Sequence, residues 1–229
     1  MQILFEDNHL VLVNKSAGEI VQGDQTGDRP LSEILAQYIR ERYHKPGDAF
    51  IGVIHRLDRP VSGVLAFART SKALGRMNEL FRTRAIEKTY WALIEGKPDS
   101  MGGILVHYLR KNAEKNRSKA HTKPGEGLLR CELEWKQLLQ TDQYTLLELK
   151  PASGRHHQIR VQLSAAGWPI RGDVKYGAKR GNADRSICLH ARNLRFIHPV
   201  KKDELSITAP LPKGSAWSPL KDYPEFFTL

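Results

Sequence analysis

The sequence predicts an α+β protein built on a mixed, largely antiparallel sheet with flanking helices. Two observations point there. Strand-like segments outnumber helical ones, and successive strand-like segments are often joined by short turns, as in hairpins. A doubly wound parallel sheet would instead show strands alternating regularly with helices.

The elements follow in order. ILFEDNHLVLVNK reads as two short strands around an Asp7-Asn8 turn. VQGDQTGDRP is loop. PLSEILAQYIRERY places Leu31, Ile34, Leu35, Tyr38 and Ile39 at helical spacing, with Pro30 where a first-turn proline is tolerated. HKPGDAF breaks that helix. HRLDRPVSG is a loop that turns at Pro60-Val61-Ser62-Gly63 and enters the strand GVLAFAR. SKALGRMNELFRT is an amphipathic helix with Ser71 as its cap and Leu74, Met77 and Phe81 on one face. KTYWALIEG alternates as a strand, Tyr90, Ala92 and Ile94 facing one side, Trp91 and Leu93 the other. GGILVHYLRK is another strand. RKNAEKNRSKAHTKPGEG is polar and basic, and reads as an exposed excursion. RCELEWKQLL and YTLLELKP form a hairpin around residues 140–143. ASGRHHQIRVQLSAAGWPI is a helix capped by Ser153 and closed by Gly167, with Ile159, Leu163 and Ala166 as its stripe. SICLHARNLRFIHP and ELSITAPLP end the chain as strands.

Bulk properties narrow the class. The chain has 229 residues, 40% hydrophobic and 27% charged, enough for a real core. It lacks an apolar run of the roughly 18–20 residues that span a bilayer, and MQILFEDNHL is no signal peptide. Cys131 and Cys188 lie far apart, which suits a reducing cytosol and predicts a cytoplasmic location. The formal charge of +11 is the footprint of a polyanion-binding surface, although such a charge also simply solubilises.

Four segments carry residues of chemical interest. In HRLDRP, Asp58 lies between Arg56 and Arg59 with His55 nearby. An acid among cations is either an ordinary surface ion pair or a carboxylate kept ionised in a poorly solvated place. Tyr90 stands early on its strand beside Lys88, and a phenol there could stack on a base or handle a proton. Arg160 lies mid-helix off the apolar stripe, where a guanidinium is either solvated or a bidentate carboxylate partner. The preceding SGRHHQ offers backbone amides and Arg155 to an anion. The histidines show no metal-ligand spacing, and the phosphate-binding, dinucleotide and serine-hydrolase loop motifs are absent.

These segments, in this order, resemble the RluA-type pseudouridine synthases of ribosomal and transfer RNA. HRLDRPVSG is similar to the family's segment around its essential aspartate. KTYWALIEG is similar to its Lys-x-Tyr strand, GRHHQIRVQLSAAGWPIRGDVKYG to its Gly-Arg-x-His-Gln-Ile-Arg helix and following turn, and LHARNLRFIHP to its late strand. The resemblance runs from VLVNKSAG at Val11 to ITAPLP near the C-terminus. Departures are Ser16 where the family usually has Pro, His156 in place of Thr, Ser or Lys, and Gln162 in place of a common His.

The resemblance implies a pseudouridine synthase fold with a central RNA-binding cleft. It also implies a single catalytic domain over residues 1–229, with room for two lobes and without the S4-like domain of many relatives. The expected reaction isomerises uridine to pseudouridine in ribosomal or transfer RNA, with no cofactor and no metal. Asp58 would be the catalytic carboxylate, acting as nucleophile or proton acceptor. Tyr90, Arg160, Arg56, His55 and Ile159 would contact the substrate: Arg160 pairing with Asp58, Tyr90 stacking on the extruded uracil, Arg56 entering the gap it leaves. Arg155, His157, Arg59, Lys88, Lys111, Lys115, Arg117 and Lys119 would contact RNA. A monomer with no required protein partner and no membrane association is expected. The competing classes are a non-catalytic RNA-binding protein that keeps the fold and a metal-dependent RNA nuclease.

Overall fold

The computed structural model of the chain describes residues 1–23 and 26–227; Asp24 and Gln25 of the expected loop lie outside them. The chain divides into two compact units. The first comprises Met1–Glu87 and Ala191–Leu211. In it, β1 (Gln2–Glu6) and β2 (Leu10–Lys15) form the expected hairpin. Asp7 closes the turn, its Oδ1 accepting from the amides of His9 and Leu10 at 2.7 and 2.8 Å. Helix α1 (Leu31–Arg42), the two-residue β3 (Gly52–Val53), β4 (Ser62–Ala68) and α2 (Ser71–Arg82) follow. The late strands β10 (Leu189–Ile197, in this unit from Ala191) and β11 (Glu204–Thr208) complete it. The sheet order is β1-β2-β4-β10, with β3 on β4 and β11 on β10.

Leu10–Val13 and Val64–Ala68 are unbroken buried runs, so the central strands are covered on both faces. Leu31, Leu35 and Ile39 form the buried stripe of α1; Ile34 and Tyr38 sit half-buried at its margin. Pro30 occupies the cap position itself, extended at φ −76°, rather than the first turn. Helix α2 is capped one residue earlier than expected: Thr70 accepts from the Ala73 amide at 3.1 Å, and Ser71 is its first helical residue. Ala73 and Met77 are its fully buried pair.

The second unit comprises Lys88–His190 with residues 212–227. Its strands are β5 (Glu87–Glu95, in this unit from Lys88), β6 (Gly102–Asn112), β7 (Arg117–His121), β8 (Leu129–Gln140) and β9 (Tyr144–Pro151), in the order β5-β9-β8-β6-β7 and all antiparallel. β8 and β9 meet through the expected turn over residues 141–143, where the Thr141 amide donates to the Tyr144 carbonyl at 2.8 Å. In β5, Ala92, Leu93 and Ile94 are all buried, so both faces are covered where a simple alternation was predicted. The basic excursion is ordered rather than loose. β6 runs on to Asn112, and β7 returns against it with Arg110 opposite Lys119 and Asn112 opposite Arg117. Turn formers and charges masked a strand pair whose apolar content is low.

Helix α3 (Gln158–Ala165) is shorter than predicted. His157, not Ser153, stands at its cap, in the left-handed region at φ 53°. The Ser153 hydroxyl instead donates to Gln158 Oε1 at 2.6 Å. Gly167 closes the helix as expected, at φ 83°, with the Trp168 amide bonding to the Leu163 carbonyl at 2.9 Å. All of Gln158–Leu163 is buried, so the helix has no solvated face over those residues. Gln162 donates to the Leu105 carbonyl at 3.0 Å, tying α3 to β6. Leu109, Cys131, Val161 and Tyr176 form a buried cluster beneath β7 with Ala120 against it.

Candidate active site

The Asp58 segment is shaped by four physical constraints in the first unit. Leu57 is buried and pins the segment from within. The Val61 amide donates to the Asp58 carbonyl at 3.0 Å, closing the turn over Asp58–Val61, two residues earlier than predicted, so that Ser62 and Gly63 already belong to β4. Gly63 lies at φ 117°, and a β-carbon there would fall 2.3 Å from the Ala191 carbonyl oxygen, so only glycine lets β4 begin so close to β10.

The fourth constraint is Lys15. It ends β2 opposite Gly63 and is 1% exposed. Its ammonium donates to the carbonyls of Val61 at 2.7 Å, Ser16 at 3.0 Å and Arg59 at 3.1 Å, with Asp58 at 3.4 Å. The acid-bearing turn is thus wrapped around a buried cation. Burial pulls the Lys15 amine down to about 8, against the upward pull of Glu19 and Asp58. Asp58 itself is half-buried. Of its flanking arginines, Arg59 pairs with Asp28 at 2.6 Å and Arg56 is exposed. His55 Nε2 accepts from the Ala66 amide at 3.1 Å, and its ring lies 4.9 Å from that of Phe81, so this imidazole braces β4 and α2.

In the second unit the residues converge on Arg160, which is 5% exposed. Its Nε and Nη2 donate to the two carboxylate oxygens of Asp173 at 2.7 and 2.9 Å, a bidentate pair with both members buried. Asp173 precedes a 3-10 turn over Val174–Tyr176. The Tyr176 ring lies between two cations, with the Arg160 and Arg117 guanidinium carbons 5.1 and 5.2 Å from its centroid. Its hydroxyl accepts from the Ser118 amide at 2.8 Å and lies 2.8 Å from His157 Nδ1. His156 stacks on His157 at 3.7 Å and contacts Ser118 Oγ and Asn116 Oδ1 at 2.9 and 3.0 Å. Tyr90 is half-buried on β5 opposite Leu149, and Lys88 reaches the Ser153 carbonyl at 3.4 Å. Among the described residues, no group of three His, Cys, Asp or Glu side chains is placed to hold a metal ion.

Residues 9–165 match the family model for RNA pseudouridylate synthase. The chain belongs to the RNA pseudouridylate synthase family. It is 33% identical over 217 residues to the ribosomal large subunit pseudouridine synthase C of Vibrio cholerae, covering 91% of this chain and 65% of that protein. The chain therefore spans just under two thirds of such ribosomal relatives. It is 30% identical over 226 residues to the tRNA pseudouridine synthase C of Vibrio parahaemolyticus, covering 91% of this chain and 89% of that one. Among solved structures it is similar to human RNA pseudouridylate synthase domain containing 4, with a TM-score of 0.77, 26% identity and coverage of 93% and 89% of the two chains.

Within this RNA pseudouridylate synthase family member, the expected residues take distinct places. His55, Arg56, Asp58 and Arg59 lie on one segment of the first unit, His55 and Arg56 leading into the turn that Asp58 opens. Ile159 and Arg160 are buried on α3, with exposed Arg155 and half-buried His157 just before it. Lys111, Lys115, Arg117 and Lys119 are exposed along the β6–β7 hairpin. The carboxylate that grips Arg160 in the second unit is Asp173, which the sequence did not single out because it lies 13 residues away beyond a turn. Lys15 was also missed. Its one sequence signal is a lone lysine ending the apolar run LVLVNK. No helix among the described residues is long and apolar enough to cross a membrane.

Proposed function

We propose that the chain isomerises uridine to pseudouridine in RNA, with ribosomal or transfer RNA as substrate and Asp58 as the catalytic carboxylate. The observation that carries this reading is the Asp58 turn: the acid of the family's HRLD segment is half-buried and held in one conformation by a buried ammonium. A carboxylate so placed presents its oxygens from a fixed backbone with part of its water stripped away, which favours nucleophilic or basic chemistry.

In the proposed reaction the C1′–N1 bond of an extruded uridine breaks. The uracil turns, C5 bonds to C1′, the proton on C5 is lost and N1 gains one. The product has the mass of the substrate, so no oxidant, reductant or energy source enters. Asp58 attacks the uracil or the ribose, or removes a ribose proton. Arg160, oriented by Asp173, supplies positive charge to the reacting groups. Tyr90 stacks under the uracil, and Arg56 fills the gap in the RNA. Names borne by relatives on both ribosomal and transfer RNA support the substrate class. The basic hairpin supports RNA as the partner.

The test is Asp58→Asn, a nearly isosteric change. The pseudouridines that the wild-type chain adds to RNA, mapped by chemical labelling, should vanish while RNA binding persists. Wild-type turnover by that variant would remove Asp58 from the chemistry. An inactive wild-type chain that still binds RNA would favour a binding protein instead.

A further inference from the structure

In the second unit, a groove of about 490 Å³ runs between β7 and α3. None of its lining residues is among those assigned to the reacting uridine. The volume lies in the range of pockets that hold nucleotide-sized ligands, roughly 300–1,000 Å³.

Its chemistry is divided. One wall is β7 and the turn before it, contributing Lys115, Arg117 and Lys119. No carboxylate lines the groove, so it is a local positive site that favours phosphate. The floor is apolar: Ala120, Val161 and Ala165, with the ring of Tyr176. Val161 and Ala165 are four residues apart and share one face of α3. Ala120, Val161 and Tyr176 continue into the buried cluster of Leu109 and Cys131. A bare phosphate would gain nothing from such a floor, whereas a nucleobase would bury its faces there.

The groove is also preformed. The Ser118 amide bonds to the Tyr176 hydroxyl at 2.8 Å, and the Ser118 hydroxyl donates to the His156 carbonyl at 2.7 Å. His156 Nε2 lies 3.0 Å from Asn116 Oδ1 on the turn between β6 and β7. Those bonds fix the hairpin against the segment entering α3, so a ligand need not order the wall on binding. The His156 ring also lies 2.9 Å from the Ser118 hydroxyl through Nδ1, so both of its nitrogens face the hairpin.

We propose that this groove is an accessory nucleotide subsite. It takes one unpaired nucleotide of the RNA substrate, other than the reacting uridine, with the base on the Ala120–Val161–Ala165 floor and its flanking phosphates on Lys115, Arg117 and Lys119. This inference rests on the reading of the chain as an RNA-modifying enzyme, and it adds that RNA is gripped as a splayed single strand at a second point.

The test uses the full chain and a 12-nucleotide single-stranded oligoribonucleotide carrying 4-thiouridine. Ultraviolet crosslinks, mapped by mass spectrometry, should fall on residues 115–120 and 161–165. Ala165→Phe fills the groove without changing charge. It should raise the Kd for the oligoribonucleotide on the order of tenfold, leaving the salt dependence and the Kd for an equally long RNA duplex unchanged. Arg117→Gln should instead flatten the salt dependence. Wild-type affinity in a folded Ala165→Phe protein would show that the cations only tether RNA and the groove stays empty. If that variant does not fold, the crosslink map of the wild-type chain decides alone, and crosslinks confined elsewhere overturn the proposal. Pseudouridine formation by the wild-type chain is measured in parallel. Its absence would refute the enzymatic reading whatever the crosslinks show.

Discussion

Replacing Lys15 by Met keeps the length and apolar stem of the side chain and deletes its ammonium. Three carbonyls lose their donor, those of Val61, Ser16 and Arg59, although Arg59 keeps the Gly18 amide at 2.8 Å. At ~1.5–3 kcal/mol for each bond to a charged group, the gross loss is ~5–9 kcal/mol. Against this stands the cost of carrying the charge in the folded chain. The fall of the amine from 10.5 to about 8 corresponds to ~3 kcal/mol, which the variant recovers. Because the Arg59 carbonyl keeps its second donor, only two bonds count; the net destabilisation is ~0–3 kcal/mol, and at ~2–4 °C per kcal/mol the melting temperature falls by about 5 °C. The turn carrying Asp58 also loses its anchor, and a displacement of the reacting group by ~1 Å costs on the order of 100-fold in turnover. A distinct pH signature accompanies this. Between pH 8 and 10.5 the unfolded chain holds the Lys15 proton and the folded chain does not, so this group makes stability rise with pH across that window. Lys15→Met should lose that slope. Thermal unfolding from pH 7 to 10.5 and single-turnover pseudouridine formation measure both effects. A variant with wild-type melting temperature and turnover would refute the role given to the buried ammonium.

Further expectations concern other parts of the molecule. Asp173→Asn removes the carboxylate that grips the buried Arg160 guanidinium bidentately, which should cost ~3–5 kcal/mol in urea unfolding and lower turnover with it. Arg160→Met should likewise destabilise, because it strands Asp173; a variant that was inactive but fully stable would contradict the buried pair. Changing Lys111, Lys115, Arg117 and Lys119 together to Gln should reduce the salt slope of single-stranded RNA binding by up to ~3, at ~0.7 per phosphate contact, and an unchanged slope would return the hairpin to plain surface. Acid should weaken the first unit through His198, whose Nε2 lies 3.1 Å from Asp7. Burial holds His198 below its ordinary 6.5 despite the attraction of Asp7, so below pH 6.5 the unfolded chain takes up the proton first and stability falls. The melting-temperature gap between wild type and His198→Gln should therefore narrow from pH 7 to pH 5, and a widening gap would count against this linkage.

Legibility in the sequence followed the range of the interaction. The β1–β2 and β8–β9 hairpins, the stripe of α1 and the Gly167 stop of α3 rest on neighbours within a few residues, so periodicity and turn chemistry displayed them. The misreadings also have local causes. Thr70 and Ser71 are adjacent and equally able to cap, and which one does so depends on where the preceding strand releases the chain. Ser153 looked like a helix cap because SGRHHQ is polar, but its hydroxyl is turned to Gln158. The β6–β7 hairpin was hidden because one edge is covered by α3 and by Tyr176 rather than by an apolar strand of its own.

Residue types in order were enough to mark an acid between arginines, a strand tyrosine and a helical arginine, and to place the chain as an α+β protein resembling the pseudouridine synthases. Such features need only chain order and local spacing to be visible. Tertiary structure alone decided that Lys15 sits beneath the Asp58 turn, that Asp173 grips Arg160, and that the hairpin's cations rim a groove. A buried charge takes its partner from whatever the topology brings within about 3 Å, because the low-dielectric interior will not leave it unpaired. Separation along the chain carries no record of that distance.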